Sequence, residues 1–539
     1  MAELVVGPLL RHVDRHTATI WVETDVPCAV SVQDATVPTF TVHGHHYGLV
    51  EVGDLSPGES IPYTVSLDGD AVWPTAESTF PPSRIRTVDP ERPVRLVFGS
   101  CRRTQPHDTA ANRAFGVDAL RAYALRMSAL DEDEWPTALL MLGDQVYADE
   151  TPPAMREIIR SRRDPARPPG FEVADFEEYT QLYRLSWRDP ATRWLLSTIP
   201  TFMVFDDHDV HDDWNTSLTW REQMARLPWW HDRIVGALGS YWLYQHIGNL
   251  SPKERANDPL FAALKEADGD GGRLLDTFAS RAHSEPESRR WSYALDLGRT
   301  RLLVVDSRAG RTLGPRRRAM LDDEERAWVD DRLRGDVDHL LVATSLPYLL
   351  PSGIHHVEAW NEAVSSGRWG PRSARLGERV RQALDLEHWG AFEGSFRDMA
   401  RSAAEVATGR RGTAPADVTF LSGDVHYSYL VSVDAPPWAS PVHQVVCSPI
   451  RNPLPTRMRW ANRRGFHPFG RLAGRALARA AGVPPAPLSW RGTAGPWFDN
   501  ALATVRADGR SASVRWEAPR ADESGRTRMV PLGEQRLTR

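Results

Sequence analysis

Over residues 1–90, apolar and polar positions alternate in short runs (TATIWVET, CAVSVQ, TFTVHG, YTVSLDG) separated by turn residues. A period of two marks strands with one buried face, and the turn spacing predicts an all-β sandwich of immunoglobulin or fibronectin III type. Within it, LSPGESIPYTV arranges Leu55, Pro57 and Tyr63 as in a tyrosine corner. The segment PPSRIRTVDPERP (81–93), rich in proline and charge and without a period, reads as a linker.

From residue 94, apolar runs short enough for buried strands alternate with long helical stretches, which predicts a layered α/β domain over 91–520. Residues 215–290 hold aromatic-rich helical patterns (WREQMARLPWWHDRIVGALGSYWLYQHIG) and the acidic loop KEADGDGGR, and read as a helical insertion or lid. TVRADGRSASVRWEA reads as a hairpin turned at Asp508–Gly509. Residues 521–539 lack a clear period and read as a loose tail.

A length of 539 residues exceeds the roughly 150 expected of one domain, consistent with two or three. With 41% hydrophobic and 25% charged residues, wholesale disorder is excluded. The net charge of -6 gives no global attraction to nucleic acid or an anionic membrane, so no nucleic-acid role is expected. Lysine occurs only at Lys253 and Lys265, and the other basic residues are arginine. No run approaches the eighteen or so apolar residues of a membrane helix, and the amino terminus lacks a signal-peptide pattern. Three scattered cysteines (Cys28, Cys101, Cys447) cannot form a disulfide framework, and the expected location is the cytoplasm.

Candidate chemistry lies where apolar runs end. VRLVFGS leads to Cys101; TALLMLG to Asp144, with Tyr147 close behind; IPTFMVF to Asp206-Asp207-His208-Asp209. TRLLVV leads to Asp306-Ser307-Arg308, HLLVATS to Leu346-Pro347, and VTFLSG to Asp424-Val425-His426. Each cluster alone is ordinary, since an Asp after a strand commonly forms a turn or caps a helix. Strands sharing a sheet would nevertheless bring these groups to one edge, where ligands bind. Carboxylates so crowded repel one another unless cations lie between them. Two cations could bind a phosphate ester through its oxygens and hold a hydroxide in line with the leaving group.

The pieces FGSC (98–101), GDQVYAD (143–149), FDDHDVHDDWN (205–215), VVDSR (304–308) and SGDVHYS (422–428) resemble, in order and spacing, the motifs of the alkaline phosphatase D family of metallophosphatases. The resemblance covers most of the chain. It implies the calcineurin-like fold, a four-layer α/β/β/α sandwich behind the N-terminal all-β domain. It implies one metal on Cys101, Asp144, Tyr147 and His426, of ferric type, because thiolate, phenolate and imidazole suit an ion of high charge. A second metal would take Asp144 as a bridge with Asp207 and Asp424, an all-oxygen set suited to calcium. Magnesium, manganese or zinc are the alternative metals for these positions. Arg308 and Arg102 are candidate clamps on the phosphoryl oxygens, His208 is the candidate acid for the departing oxygen, and Asp209 is its candidate orienting partner. Two departures from the wider fold family stand out. VATSLP offers Thr344 and Ser345 where ordinary members carry a histidine, a replacement this branch shares. EHWGAFEGS (387–395) keeps Trp389 and Phe392 in kind but alters the polar positions.

The expected activity is hydrolysis of phosphate mono- or diesters by metal-activated hydroxide at a two-metal site. Two readings compete with it. One is a phospholipase D-like phosphodiesterase drawn to a lipid surface by RNPLPTRMRWANRRGFHPFGRLAGRALARAAG (451–482), whose arginines are interleaved with Trp460, Phe466, Phe469 and Leu477. The plainer reading of that segment is a basic helix covering the catalytic domain. The other is a non-catalytic binding protein on a phosphatase fold. His355-His356 reads either as part of a lid or as a loop.

Overall fold

Strands that are apolar at every position must be covered on both faces, and two such sheets lie face to face here. The computed structural model describes residues 2–314, 317–434, 438–465, 468–521 and 527–538. In the first sheet, Val94–Gly99, Ala138–Leu142 and Thr201–Val204 run parallel as neighbours. Leu502–Asp508 pairs antiparallel with the first of them and continues into Ser511–Ala521 and Thr527–Arg536. The second sheet has seven strands, with Thr300–Val305, His339–Thr344, Asp417–Ser422 and Val442–Val446 parallel at its centre. Alternation divides Thr300–Val305 between two cores. Leu302 and Val304 pack with Val97 and Leu139 of the first sheet, whereas Leu303 and Val305 pack with Phe396 and Met399 of the helix Glu393–Ala407. The result is the expected layered metallophosphatase-type architecture.

The first residues form two four-stranded antiparallel sheets, Leu4–Val13/Ala18–Thr24/His45–Val52/Phe40–Val42 and Ala35–Pro38/Ala29–Val32/Val65–Leu67/Asp70–Trp73. They enclose a core of their own around Ile20, Val30, Val50 and Val65. Two expectations are corrected here. Tyr63 makes no tyrosine corner, because its hydroxyl donates to the carbonyl of Ser197, 2.5 Å away at the end of helix Pro190–Thr198. Part of the supposed linker is a strand, Arg84–Arg86, paired with Ser60–Pro62. Polar bonds tie this sandwich to the α/β layers. Buried Arg11 donates to the carbonyls of Tyr244 and Gln245 and to Asn249 Oδ1 at 3.2, 2.6 and 2.9 Å.

His45 belongs to the same seam, with Nδ1 2.8 Å from Glu23 and Nε2 2.8 Å from Glu177 of helix Phe176–Trp187. Burial opposes its charge, but the two glutamates outweigh burial and raise its pKa to about 9. A histidine pKa raised on folding stabilises fully below its unfolded value of 6.5, and this contribution disappears as pH rises through about 9. His45→Gln should therefore flatten the decline in urea stability across that window, by about 1 kcal/mol after allowance for solvent screening. Equal slopes for the two proteins would exclude this link.

The aromatic residues of 215–290 are core, not lid. Trp230, Tyr241, Trp242 and Tyr244 are buried in the cluster that also holds strand residues Phe202 and Val204. The hairpin turns one residue later than expected, since Asp508 pairs with Ser511 and leaves Gly509–Arg510 as the loop. The tail is not loose. Thr527–Arg536 is an edge strand on Ser511–Ala521, and an edge strand mostly open to solvent carries little hydrophobic alternation for a sequence to display. Residues 522–526 of that tail and Phe466 of the basic segment lie outside the described residues. Among the described residues no helix is long and apolar enough to cross a membrane.

Candidate metal centre

Because the strands of each set are parallel, their carboxyl ends share an edge, and the polar residues singled out in sequence follow those ends directly. Cys101 follows Val94–Gly99, Asp144 follows Ala138–Leu142, and Asp206-Asp207 follow Thr201–Val204. From the facing sheet come Arg308, Asp424 and His426. Four of these residues occupy the left-handed region, with φ of 59° at Cys101, 52° at Asp144, 63° at Asp424 and 58° at His426. Non-glycine residues rarely adopt it, and the cost is of order 1–3 kcal/mol each, so the clustering marks a site that the fold maintains at the expense of stability. Two preceding glycines permit the approach. A Cβ on Gly143 would lie 2.5 Å from the Asp206 Cβ, and one on Gly423 would lie 2.0 Å from Ser100 Oγ.

Three overlapping groups of ligand atoms result: Cys101/Asp144/His426, Asp144/Asp207/His208 and Asp206/Asp207/Asp424, the atoms of each lying within 4.8 Å of one another. The Tyr147 hydroxyl donates to Asp144 Oδ2 at 3.1 Å. Asn452 Nδ2 bridges the Tyr147 oxygen, at 3.0 Å, and His426 Nε2, at 3.4 Å. Cys101 Sγ accepts from Ser448 Oγ at 3.3 Å and lies 3.1 Å from Ser100 Oγ. Asp144 thus belongs both to the set with the Cys101 sulfur and the His426 imidazole and to the set with Asp207 and His208, and Asp207 links the latter to Asp206 and Asp424.

The electrostatics call for positive charge at this place. Asp144 Oδ1 and Asp206 Oδ2 are buried and accept no hydrogen bond from any described group. Buried oxygens are seldom left so, because the desolvation cost is not recovered. Burial and neighbouring carboxylates hold the Asp144 carboxyl well above its ordinary range, and burial with Asp144 and Asp424 does the same to the Cys101 thiol. Asp213 is pushed up to about 9 by burial and by Glu387 and Asp385. The donor set fits metal ions, which would supply the missing charge.

Several assignments change around this centre. Asp209 does not hold His208. Its carboxylate accepts the backbone N–H groups of Asp144 and Asp206, both at 2.9 Å, and of Val146 at 3.3 Å, which fastens two ligand loops together. The partner of His208 is Asp149, whose oxygens lie 2.8 and 3.0 Å from Nδ1. Burial opposes the His208 charge, but Asp149 and Asp207 outweigh it and raise its pKa well above 6.5. Arg102 is drawn away from the centre, since its guanidinium pairs with Asp118 at 2.9 Å and donates to the Ser186 carbonyl at 2.8 Å. Arg308 is in the centre but enclosed. It pairs with Asp206, with Glu387 at 2.5 Å, with Asp207 at 3.2 Å and with Asp424 at 3.7 Å, which leaves no open face for a clamp.

The altered EHWGAFEGS segment makes polar contacts of its own. Glu387 serves Arg308 and Arg311. His388 spans Glu358 at 2.7 Å and Asp424 at 2.9 Å. Burial would raise the Asp424 pKa, but His388 and Arg308 outweigh it and hold it at about 2. Trp389 and Phe392 are core. Ser345 reaches Ser307 at 2.8 Å. His355 packs on Phe396 and Trp490, within the protein and not as a lid. Sequence reading missed Asp149, Asn452 and His388. Asp149 was visible inside the motif GDQVYAD, and Asn452 as the second residue of the arginine-rich segment 451–482.

A family model described as PhoD-like phosphatase matches residues 120–459, more than half of the chain, and a domain of unknown function (DUF7800) matches residues 1–85. Cys101 lies outside both matched stretches. Among curated proteins nothing matches. A solved structure of PhoD is similar with a TM-score of 0.58 at 10% identity, covering 99% of this chain and 90% of that one. Purple acid phosphatase PPD1 from yellow lupin (Lupinus luteus) seeds is similar with a TM-score of 0.48 at 10% identity, covering 98% and 74%. The likeness to PhoD bears on the fold.

Proposed function

The chain belongs to the PhoD-like phosphatase family and is a phosphatase; on that premise we propose that it hydrolyses phosphate esters at a pair of metal ions. Cys101, Asp144, Tyr147 and His426 would hold one ion, and Asp144, Asp207 and Asp424 the other. The observation that carries this reading is the meeting of these side chains around the buried oxygens Asp144 Oδ1 and Asp206 Oδ2, which accept no hydrogen bond from any described group. Thiolate, phenolate and imidazole favour iron in the first position, and oxygen donors alone favour calcium or magnesium in the second. Bound there, such ions polarise the ester and activate the attacking water.

The remaining work falls to the chain itself. His208, charged beside Asp149, presents Nε2 as the proton donor to the departing oxygen. Arg308 acts as a positioning residue, balancing Asp206, Asp207, Asp424 and Glu387 so that four carboxylates can share one enclosed space. Asn452 and Ser448 orient Tyr147, His426 and Cys101. Elemental analysis of the purified protein, paired with hydrolysis of matched aryl phosphate mono- and diesters, tests the proposal. Two metals per chain and turnover of at least one ester class are expected, and the ratio of the two rates assigns the substrate class. Protein free of metal that cleaves both esters at full rate would overturn it.

A further inference from the structure

A second concentration of charge lies apart from the metal centre. A cavity of about 350 Å³ opens between the start of helix Ser352–Ser365, the helix Pro468–Ala480 and the proline-rich loop after it. Arg471, Arg475 and Arg479 line it together with Ser352, His356 and Asp434. The arginines stand at i, i+4 and i+8 of one helix, where like charges repel. None of the three has an ion pair or hydrogen bond with a described residue. Most other arginines here do, and Asp434 is itself engaged by Arg491 at 3.4 Å.

The geometry holds this row in place. A Cβ on Gly474 would lie 2.7 Å from the Gly353 carbonyl oxygen, so the arginine helix rests backbone to backbone on the first turn of Ser352–Ser365. That turn starts at Pro351 without a side-chain cap, and its positive end faces the same cavity through Ser352. The opposite wall is anchored by Arg397, which donates to the carbonyls of Pro484 and Pro485 at 3.0 and 2.8 Å. Burial and the charges of Arg475 and Arg471 keep His356 neutral down to about pH 4, so it faces the cavity as an uncharged hydrogen-bonding ring. Three arginines, with Arg475 and Arg479 exposed and Arg471 half-buried, a helix N-terminus and a hydroxyl thus border one cavity, and each is a group that recognises phosphate oxygens.

We propose that this cavity is an anion pocket, separate from the catalytic centre, that takes a phosphate-bearing ligand. Two sources offer that chemistry, soluble phosphate and the headgroup of an anionic phospholipid. The second is relevant because Leu472 and Leu477 stand 61% and 42% exposed on the same helix.

Labelling of the full-length, metal-loaded protein with phenylglyoxal, read peptide by peptide by mass spectrometry, tests this proposal. Inorganic phosphate should slow modification of Arg471 and Arg475 about tenfold relative to Arg506, which does not line the cavity. Protection by phosphatidylglycerol vesicles but by neither phosphate nor phosphatidylcholine vesicles supports the pocket with a headgroup as its ligand. Equal labelling with and without every one of these probes overturns it. The variant Arg471→Ala/Arg475→Ala/Arg479→Ala should keep its metals and its turnover of a soluble aryl phosphate. Loss of both in this variant would show that the cavity is part of the catalytic centre and would overturn the claim of a separate pocket.

Discussion

Asp144→Asn should release both metals, reduce turnover by about 10³-fold or more, and at the same time make the chelated protein more stable. The loss follows from position, since Asp144 supplies an atom both to the group with Cys101 and His426 and to the group with Asp207 and His208. Removing its charge weakens both, and the metals' contribution to the barrier, several kcal/mol, goes with them. The gain in stability follows from the same burial. Without a cation, Asp144 sits 1% exposed beside Asp206, Asp207 and Asp209 with an oxygen that accepts no hydrogen bond. A carboxyl raised above its unfolded value of 3.8 favours folding only while protonated, so at neutral pH it opposes the fold. Asparagine keeps an oxygen for the Tyr147 hydroxyl and adds donors for the orphaned carboxylates. Cys101→Ala and Asp207→Asn each remove a ligand from one set only, and each should lose the corresponding metal and most turnover. Metal stoichiometry, kcat and melting temperature with and without chelator read all three variants. If Asp207→Asn or Cys101→Ala kept a full complement of metal and the parental rate, the ligand assignment would have to be withdrawn.

The residues that converge were legible because each follows an apolar run, and a run buried on both faces is the clearest signal a strand leaves in a sequence. What each polar residue faces was less legible. Arg308 and Arg102 read alike in sequence, as basic residues just past a strand. One is enclosed by four carboxylates and the other bonds to Asp118, because the partners come from segments more than ten residues distant in sequence. Asp149 took the role expected of Asp209 for a related reason. Adjacency suggested that Asp209 orients His208, but in a tight loop neighbouring side chains point apart, and Asp209 turned inward to the backbone amides of two strand ends. Tyr63 matched a local motif and was satisfied by Ser197 from another layer. The edge strand Thr527–Arg536 had no alternation to read, because its burial comes mainly from backbone pairing.

That replacement of Asp209 by Asp149 gives the second large effect. Asp149→Asn should retain metal and fold, yet slow turnover of an alkyl phosphate about 10²-fold, the usual contribution of a general acid. The argument begins at His208 Nδ1, which lies 2.8 Å from Asp149, an interaction that fixes the ring and keeps Nε2 protonated. Asp149 is the largest of the influences raising the His208 pKa, so its removal lowers that pKa. The alkaline limb of the pH–rate profile, where the acid loses its proton, must then move to lower pH. A 4-nitrophenyl ester, whose leaving group departs without a proton, should be nearly insensitive. His208→Asn should reproduce both the leaving-group dependence and the loss of the limb. Asp209→Asn should behave differently. Weakened acceptance of three backbone N–H groups costs about 1–3 kcal/mol of stability and loosens the Asp144 and Asp206 loops, so metal content falls and both esters suffer alike. If Asp149→Asn left the profile unmoved while Asp209→Asn shifted it, the acid would be positioned by Asp209 after all, and the role drawn from the His208–Asp149 contact would be wrong.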